Sequence, residues 1–208
     1  MDQAVSTRIA DLQPRRREGK RLSIVAPMHD EAPVLGAFFE RIEAATKDLG
    51  VSIEIICVDD GSHDETLSGL VQKAARDPRV KVIALARNFG KEAALTAGIE
   101  AATGDIVVPI DADLQDPPEL IAEFVKRWEE GYDVVYGARS DRSSDTAMKR
   151  TTAQLFYRIF NRVSDLDIPE SAGDFRLMDR DVVEALKRLP ERNRFMKGLF
   201  AWVGFRQI

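Results

Sequence analysis

Sulfur and imidazole are scarce in this sequence, and each scarcity excludes something. The one cysteine, Cys57, lies inside the apolar run 53–58. No disulfide can form within a chain, so the thiol reads as an inert core group in a reducing compartment. With only 2 histidines in 208 residues, a histidine metal site is not expected. Long apolar runs are missing too: none approaches the ~20 residues that a helix needs to cross a bilayer. Residues 1–21 hold Arg15, Arg16, Arg17, Lys20 and Arg21 with no apolar segment behind them, so they are not a signal peptide. They read as a flexible tail ahead of a single domain at 22–208. The Gly-x-x-x-x-Gly-Lys-Ser/Thr loop of a P-loop NTPase is absent, as is the Gly-x-Gly-x-x-Gly turn of a dinucleotide dehydrogenase. A basic excess is absent as well. The net charge of −5 disfavours nucleic acid as a partner.

What is present alternates. Apolar runs predict strands at 22–27, 53–58, 80–85, 105–110 and 132–136. Between them the spacing predicts helices at 32–48, 64–75, 92–102 and 118–130, the second capped by Asp64. Five alternations predict an α/β fold, a Rossmann-like and mostly parallel sheet flanked by helices. After Gly137 the pattern changes. A polar, mobile loop is expected at 138–145, helices at 148–162, 180–188 and 193–201, a loop at 164–172 and a strand at 175–178. These elaborate one domain and add no second core.

Four polar loops follow the first four strands. They are Pro27-Met28-His29-Asp30-Glu31, Asp59 to Thr66, Asn88-Phe89-Gly90-Lys91 and Asp111 to Asp116. Ligands of open α/β sheets bind at those carboxyl ends. Asp111, Asp113 and Gln115 have the period of an extended chain, so their side chains are expected to point the same way. Three oxygen-bearing side chains suit a hard divalent cation shared with a diphosphate, either Mg²⁺ or Mn²⁺. A solvated acidic turn capping the next helix is the alternative. His29 is expected to lie near the ligand without chemistry of its own.

Taken together, these motifs resemble family 2 glycosyltransferases of the A-type fold. Asp59-Asp60-Gly61-Ser62-x-Asp64-x-Thr66 carries the resemblance to the family. Asp111-x-Asp113-Leu114-Gln115-Asp116-Pro117-Pro118-Glu119 and Gly173-Asp174-Phe175-Arg176-Leu177, followed by Arg180, narrow it to the polyprenyl-phosphate branch. Dolichyl-phosphate mannose synthase and undecaprenyl-phosphate glucosyltransferases belong to that branch. It spans Leu22 to Gln207 and departs at His29-Asp30, where the branch commonly shows Tyr-Asn.

The resemblance implies inverting, metal-dependent transfer of a hexose from a UDP- or GDP-sugar to a polyprenyl phosphate. It implies nucleoside contacts at Pro27, Glu31 and Asp60. Lys91, Asp111 and Arg139 complete the donor-binding set, and Asp111, Asp113 and Gln115 form the metal site. Asp113, Asp174 and Arg176 form the catalytic set, with Asp174 as base, orienting group or structural partner of Arg176. Members commonly continue into transmembrane helices, so this chain is expected at the cytoplasmic side of the cell membrane, peripheral or anchored by such a segment. The basic, aromatic-rich end at 187–206 suits an anionic membrane surface. A packed amphipathic helix is the alternative there. A soluble or saccharide acceptor, a non-catalytic nucleotide-sugar-binding domain and a homo-oligomer stay open.

Overall fold

The computed structural model describes residues 14–113, 115–138, 172–189 and 204–208. Six strands form one sheet in the order β3-β2-β1-β4-β6-β5. They are β1 (Arg21–Met28), β2 (Ser52–Asp59), β3 (Val80–Ala84), β4 (Ile106–Pro109), β5 (Val134–Ala138) and β6 (Ala172–Asp179). Among the described residues five helices accompany them: α1 (Leu35–Thr46), α2 (Thr66–Arg76), α3 (Lys91–Ala101), α4 (Ile121–Glu129) and α5 (Arg180–Lys187). Single 3₁₀ turns at Ala32–Val34 and Pro118–Leu120, each with a proline at its first or second position, lead into α1 and α4.

Burial on both faces explains the continuous apolar runs of the inner strands. Alternation assigns each side chain to a layer. Leu22, Ile24, Ile55, Cys57, Ile106, Val108, Phe175 and Leu177 pack with Phe38 and Ile42 of α1, Leu70 of α2 and Phe124, Val125 and Trp128 of α4. Their neighbours Val25, Ile56, Val58, Val107 and Met178 pack with Leu95 and Ile99 of α3 and Val182, Val183 and Leu186 of α5. Cys57 is buried as expected, and burial pushes its thiol up to about 12.

The first four strands are parallel, with Met28 beside Asp59 and Val25 beside Pro109. β6 departs from the expected layout. It is longer than the predicted 175–178 and inserts between β4 and β5, antiparallel to both. Sequence order suggests neighbours only about two-thirds of the time. With Phe175 and Leu177 on one face and Met178 on the other, β6 satisfies both layers of the core and can sit inside the sheet. β5 begins two residues later than predicted, and the chain end pairs outside it. Tyr136 N donates to Ile208 O at 3.0 Å, and Ile208 N donates to Val134 O at 3.1 Å.

Some of the residues expected in the tail lie within the described part of the chain. Arg21 already opens β1, and residues before it make defined contacts. Arg15 lies on Asp133 at 2.5 Å and over the Trp128 ring at 5.5 Å, while Lys20 meets Asp105 at 2.9 Å. The loop expected at 138–145 lies outside the described residues, save for Ala138 at the end of β5. The helices expected at 148–162 and 193–201 and the residues 164–171 lie outside them too.

One buried polar knot ties the amino ends of the strands. Glu54 of β2 is 3% exposed. It accepts from Ser23 Oγ at 2.5 Å, Thr103 N at 2.7 Å, Gly104 N at 3.0 Å and Lys81 Nζ at 2.7 Å. Burial alone would raise its pKa, but Lys81, Ser23 and Thr103 hold it down at about 2. The folded value lies below the ordinary 4.5, so the stabilisation is full above pH 4.5 and fades as the pH falls toward 2. Glu54→Gln is expected to lower the unfolding free energy by about 1–3 kcal/mol at neutral pH. Urea unfolding of both proteins across acid pH checks this: the gap should narrow toward pH 2, and a pH-independent gap contradicts it.

Candidate functional site

The order β2-β1-β4 puts a reversal of winding between β1 and β4. A doubly wound sheet opens a crevice at such a point, outside the carboxyl ends of its strands. Three loops build the walls here. Asp30, in the β1–α1 loop, has a φ of 55°, a left-handed backbone that a non-glycine residue adopts only when held. The second loop holds it. Asp30 N donates to Ser62 Oγ at 3.0 Å, and Asp30 Oδ1 accepts from His63 N at 2.7 Å and Asp64 N at 3.3 Å. Chiefly the His63 N–H bond lowers the Asp30 pKa.

Glu31 N donates to Thr66 Oγ1 at 2.8 Å, and Ala32 N donates to Asp64 Oδ2 at 3.1 Å. Asp64 Oδ1 also accepts from Thr66 N at 2.9 Å, so it caps α2 from two residues ahead. Hydrogen bonding from the Thr66 hydroxyl is the first cause of its lowered pKa.

Asp60 joins the third loop to the other two. It is 3% exposed, and its two carboxylate oxygens accept from Phe89 N at 2.7 Å and Gly90 N at 2.8 Å. Gly61 makes the approach feasible. Its φ is 66°, and a Cβ there would lie 2.4 Å from the Arg87 carbonyl carbon. The glycine of the Asp59-Asp60-Gly61-Ser62 motif therefore serves both a turn and a close crossing.

A cavity of about 310 Å³ opens between these loops and the end of β4. Pro27, Met28, His29 and Glu31 line it from the first loop, and Asp60 from the second. Asn88 and Gly90 line it from the third and Lys91 and Ala94 from the start of α3, with Asp111, Ala112 and Asp113 opposite. Six residues expected at the donor or metal site meet here: Pro27, Glu31, Asp60, Lys91, Asp111 and Asp113. Asn88 joins them. Its place in the polar loop after the third strand was the signal for it, though no role was expected. Lys91 Nζ donates to Asp111 Oδ2 at 2.7 Å. Glu31 has a raised pKa, first from burial and then from the charges of Asp113 and Asp111. An anionic wall that raises a neighbour's pKa, with one lysine already on it, fits a divalent cation. Asp111 and Asp113 are the oxygen donors that would hold it.

Gln115 does not join them. The chain turns at Ala112-Asp113, and Gln115 N folds back onto Asp113 Oδ1 at 3.0 Å. The extended spacing therefore ends before residue 115, and Gln115 is exposed outside the cavity lining. Arg176 is buried in β6, in register with Tyr136, and does not line the cavity. Asp174 stands two positions earlier on that strand. Arg139 lies outside the described residues.

The model of the family described as glycosyl transferase family 2 matches residues 23–187. The chain belongs to glycosyl transferase family 2. Among curated relatives of this family 2 chain, a glycosyltransferase of Synechocystis named as uncharacterised is 54% identical over 89% of this chain and 58% of its own length. The bactoprenol glucosyl transferase of Shigella phage SfV is 46% identical over 88% of this chain and 60% of its own. The chain thus spans about three fifths of the curated relatives it matches. A mannosyltransferase of Pyrobaculum calidifontis, solved with GDP-mannose and Mn²⁺, superposes with a TM-score of 0.66 at 23% identity. That superposition covers 95% of this chain and 56% of the other, and it shows a shared fold.

The loop crossing at Gly61 gives a direct test. Gly61→Ala adds a methyl group at a positive φ and against the backbone of residue 87. It is expected to cost about 1–3 kcal/mol of unfolding free energy. Denaturant titration with no loss of stability contradicts the crossing.

Proposed function

We propose that this chain transfers a hexose from a nucleotide-sugar to a polyprenyl phosphate, with a divalent cation at Asp111 and Asp113. One observation carries the donor half: Glu31, Lys91, Asp111 and Asp113 converge on one cavity at the crevice of the sheet. The relatives named bactoprenol glucosyl transferase support the acceptor half.

In this reading the nucleoside lies along Pro27, Glu31 and Asp60, and the diphosphate reaches toward Asp111 and Lys91. The cation supplies charge stabilisation for the departing diphosphate and a template for the donor. Lys91 adds a positive charge at the same edge. The acceptor brings its own nucleophile. A phosphate monoester has a second pKa near ~6, so at neutral pH an oxygen is already anionic. That oxygen forms a bond to the anomeric carbon while the bond from that carbon to the diphosphate oxygen breaks, with inversion. No proton has to leave the acceptor, so Asp174 is assigned to orient rather than to deprotonate. Arg176 and Arg139 are assigned to phosphate charge near β5 and β6.

Among the described residues no helix is long and apolar enough to cross a membrane. The proposed meeting place with the cytoplasmic membrane face is the basic, aromatic-rich end at 187–206. Its last part belongs to the domain: Phe205 packs against the second core layer, and Arg206 lies over the Tyr132 ring at 4.4 Å.

Transfer from labelled UDP-glucose and GDP-mannose to undecaprenyl phosphate in detergent, beside transfer to soluble sugars, tests the proposal. Product on the lipid phosphate alone is expected. Asp113→Asn should lose at least about 100-fold in rate, or roughly 2.7 kcal/mol in the barrier, while its unfolding curve is unchanged. Full activity in excess chelator, or transfer to soluble sugars alone, overturns it.

A further inference from the structure

The chain's 2 histidines lie in different loops, and the fold brings both to the same carboxylate. His29 Nε2 is 3.5 Å and His63 Nδ1 3.9 Å from Asp30 Oδ2, and the three ligand atoms lie within 4.8 Å of one another. Local bonding orients them. Asp60 O is 3.0 Å from His29 Nδ1 and can only accept, so that nitrogen carries the proton and Nε2 presents a lone pair. A carbonyl on the far nitrogen is the usual support for a metal-binding imidazole. Asp30 Oδ1 is committed to the His63 and Asp64 amides, which leaves Oδ2 facing both rings. One competitor is present: Asn88 Nδ2 lies 3.0 Å from His29 Nε2, with Asn88 Oδ1 tied to Gly90 N.

We infer that His29, Asp30 and His63 form a second cation site at the rim of the cavity, separate from Asp111 and Asp113. Two imidazoles and one carboxylate suit Zn²⁺ or Co²⁺ rather than the hard Mg²⁺. Tetrahedral bonds of about 2.0–2.1 Å put ligand atoms roughly 3.3 Å apart, so the widest pair of the set closes by up to about 1.5 Å. His63 has the freedom for it, with a side chain 83% exposed. Closure displaces the Asn88 amide from His29 and links the first two loops through a bound ion. Since His29 and Asn88 both line the cavity, occupancy of this site reshapes its rim.

Titration of the untagged chain with Co²⁺ alone, followed by its visible absorption, reads the site directly. One Co²⁺ with imidazole-type bands is expected, displaced by Zn²⁺ but not by excess Mg²⁺. His63→Ala should weaken binding at least about tenfold, and the exposure of His63 lets the fold survive the change, as thermal unfolding will show. Asp113→Asn should leave the titration unchanged. Binding that survives His63→Ala, disappears in Asp113→Asn or yields to Mg²⁺ overturns the inference.

Discussion

The Asp60 carboxylate is the point on which the site depends. It is buried at the end of β2, and its two oxygens accept the amides of Phe89 and Gly90. Asp60 N in turn donates to Met28 O at 2.8 Å. Three loops from three parallel strands are thereby fixed at one residue. A charged acceptor makes each such bond worth about 1.5–3 kcal/mol, more than a neutral pair. Removing the carboxylate would leave the Phe89 amide without its acceptor and the Gly90 amide with Asn88 Oδ1 alone, and would loosen the turn that opens α3. Lys91 is the first residue of that helix, so its position over Asp111 descends from the same bonds.

The second constraint is electrostatic. Glu31, Asp111 and Asp113 share a cavity that also holds one lysine. Folding alone does not neutralise this group, as the raised pKa of Glu31 records, with burial first and Asp113 and Asp111 next among its causes. A divalent cation at Asp111 and Asp113 would offset this charge and let an anionic diphosphate approach, which is the chemistry proposed for the donor. The opposite end of the sheet is balanced internally, where Glu54 finds Lys81, Ser23 and the Thr103-Gly104 amides within the fold. One polar cluster is complete in itself and holds the fold, and the other is open to a ligand.

Strand periodicity and the polar loops behind each strand are local signals; they placed β1 to β4, and six of the residues they singled out line one cavity. What escaped the sequence depends on distant contacts. The insertion of β6 between β4 and β5 is a choice of partner, which period-two spacing does not encode. Gln115 leaves the expected row because the Asp113 side chain captures its amide and turns the chain. Two histidines 34 positions apart looked too few for a site. They converge because Asp30 is held in a left-handed conformation by amides of the second loop. The docking of Arg15 on Asp133 and Trp128 is equally non-local, and composition alone made that segment look like a free tail.

The central claim is that one cavity binds a nucleoside diphosphate and a divalent cation together. Calorimetric titration of UDP and of GDP, each with and without Mn²⁺, measures this without any acceptor. Binding of at least one nucleotide should tighten about tenfold or more with Mn²⁺, or roughly 1.4 kcal/mol, and Asp111→Asn should abolish that gain. Nucleotide affinity indifferent to Mn²⁺, or a Mn²⁺ effect that persists in Asp111→Asn, would contradict the account.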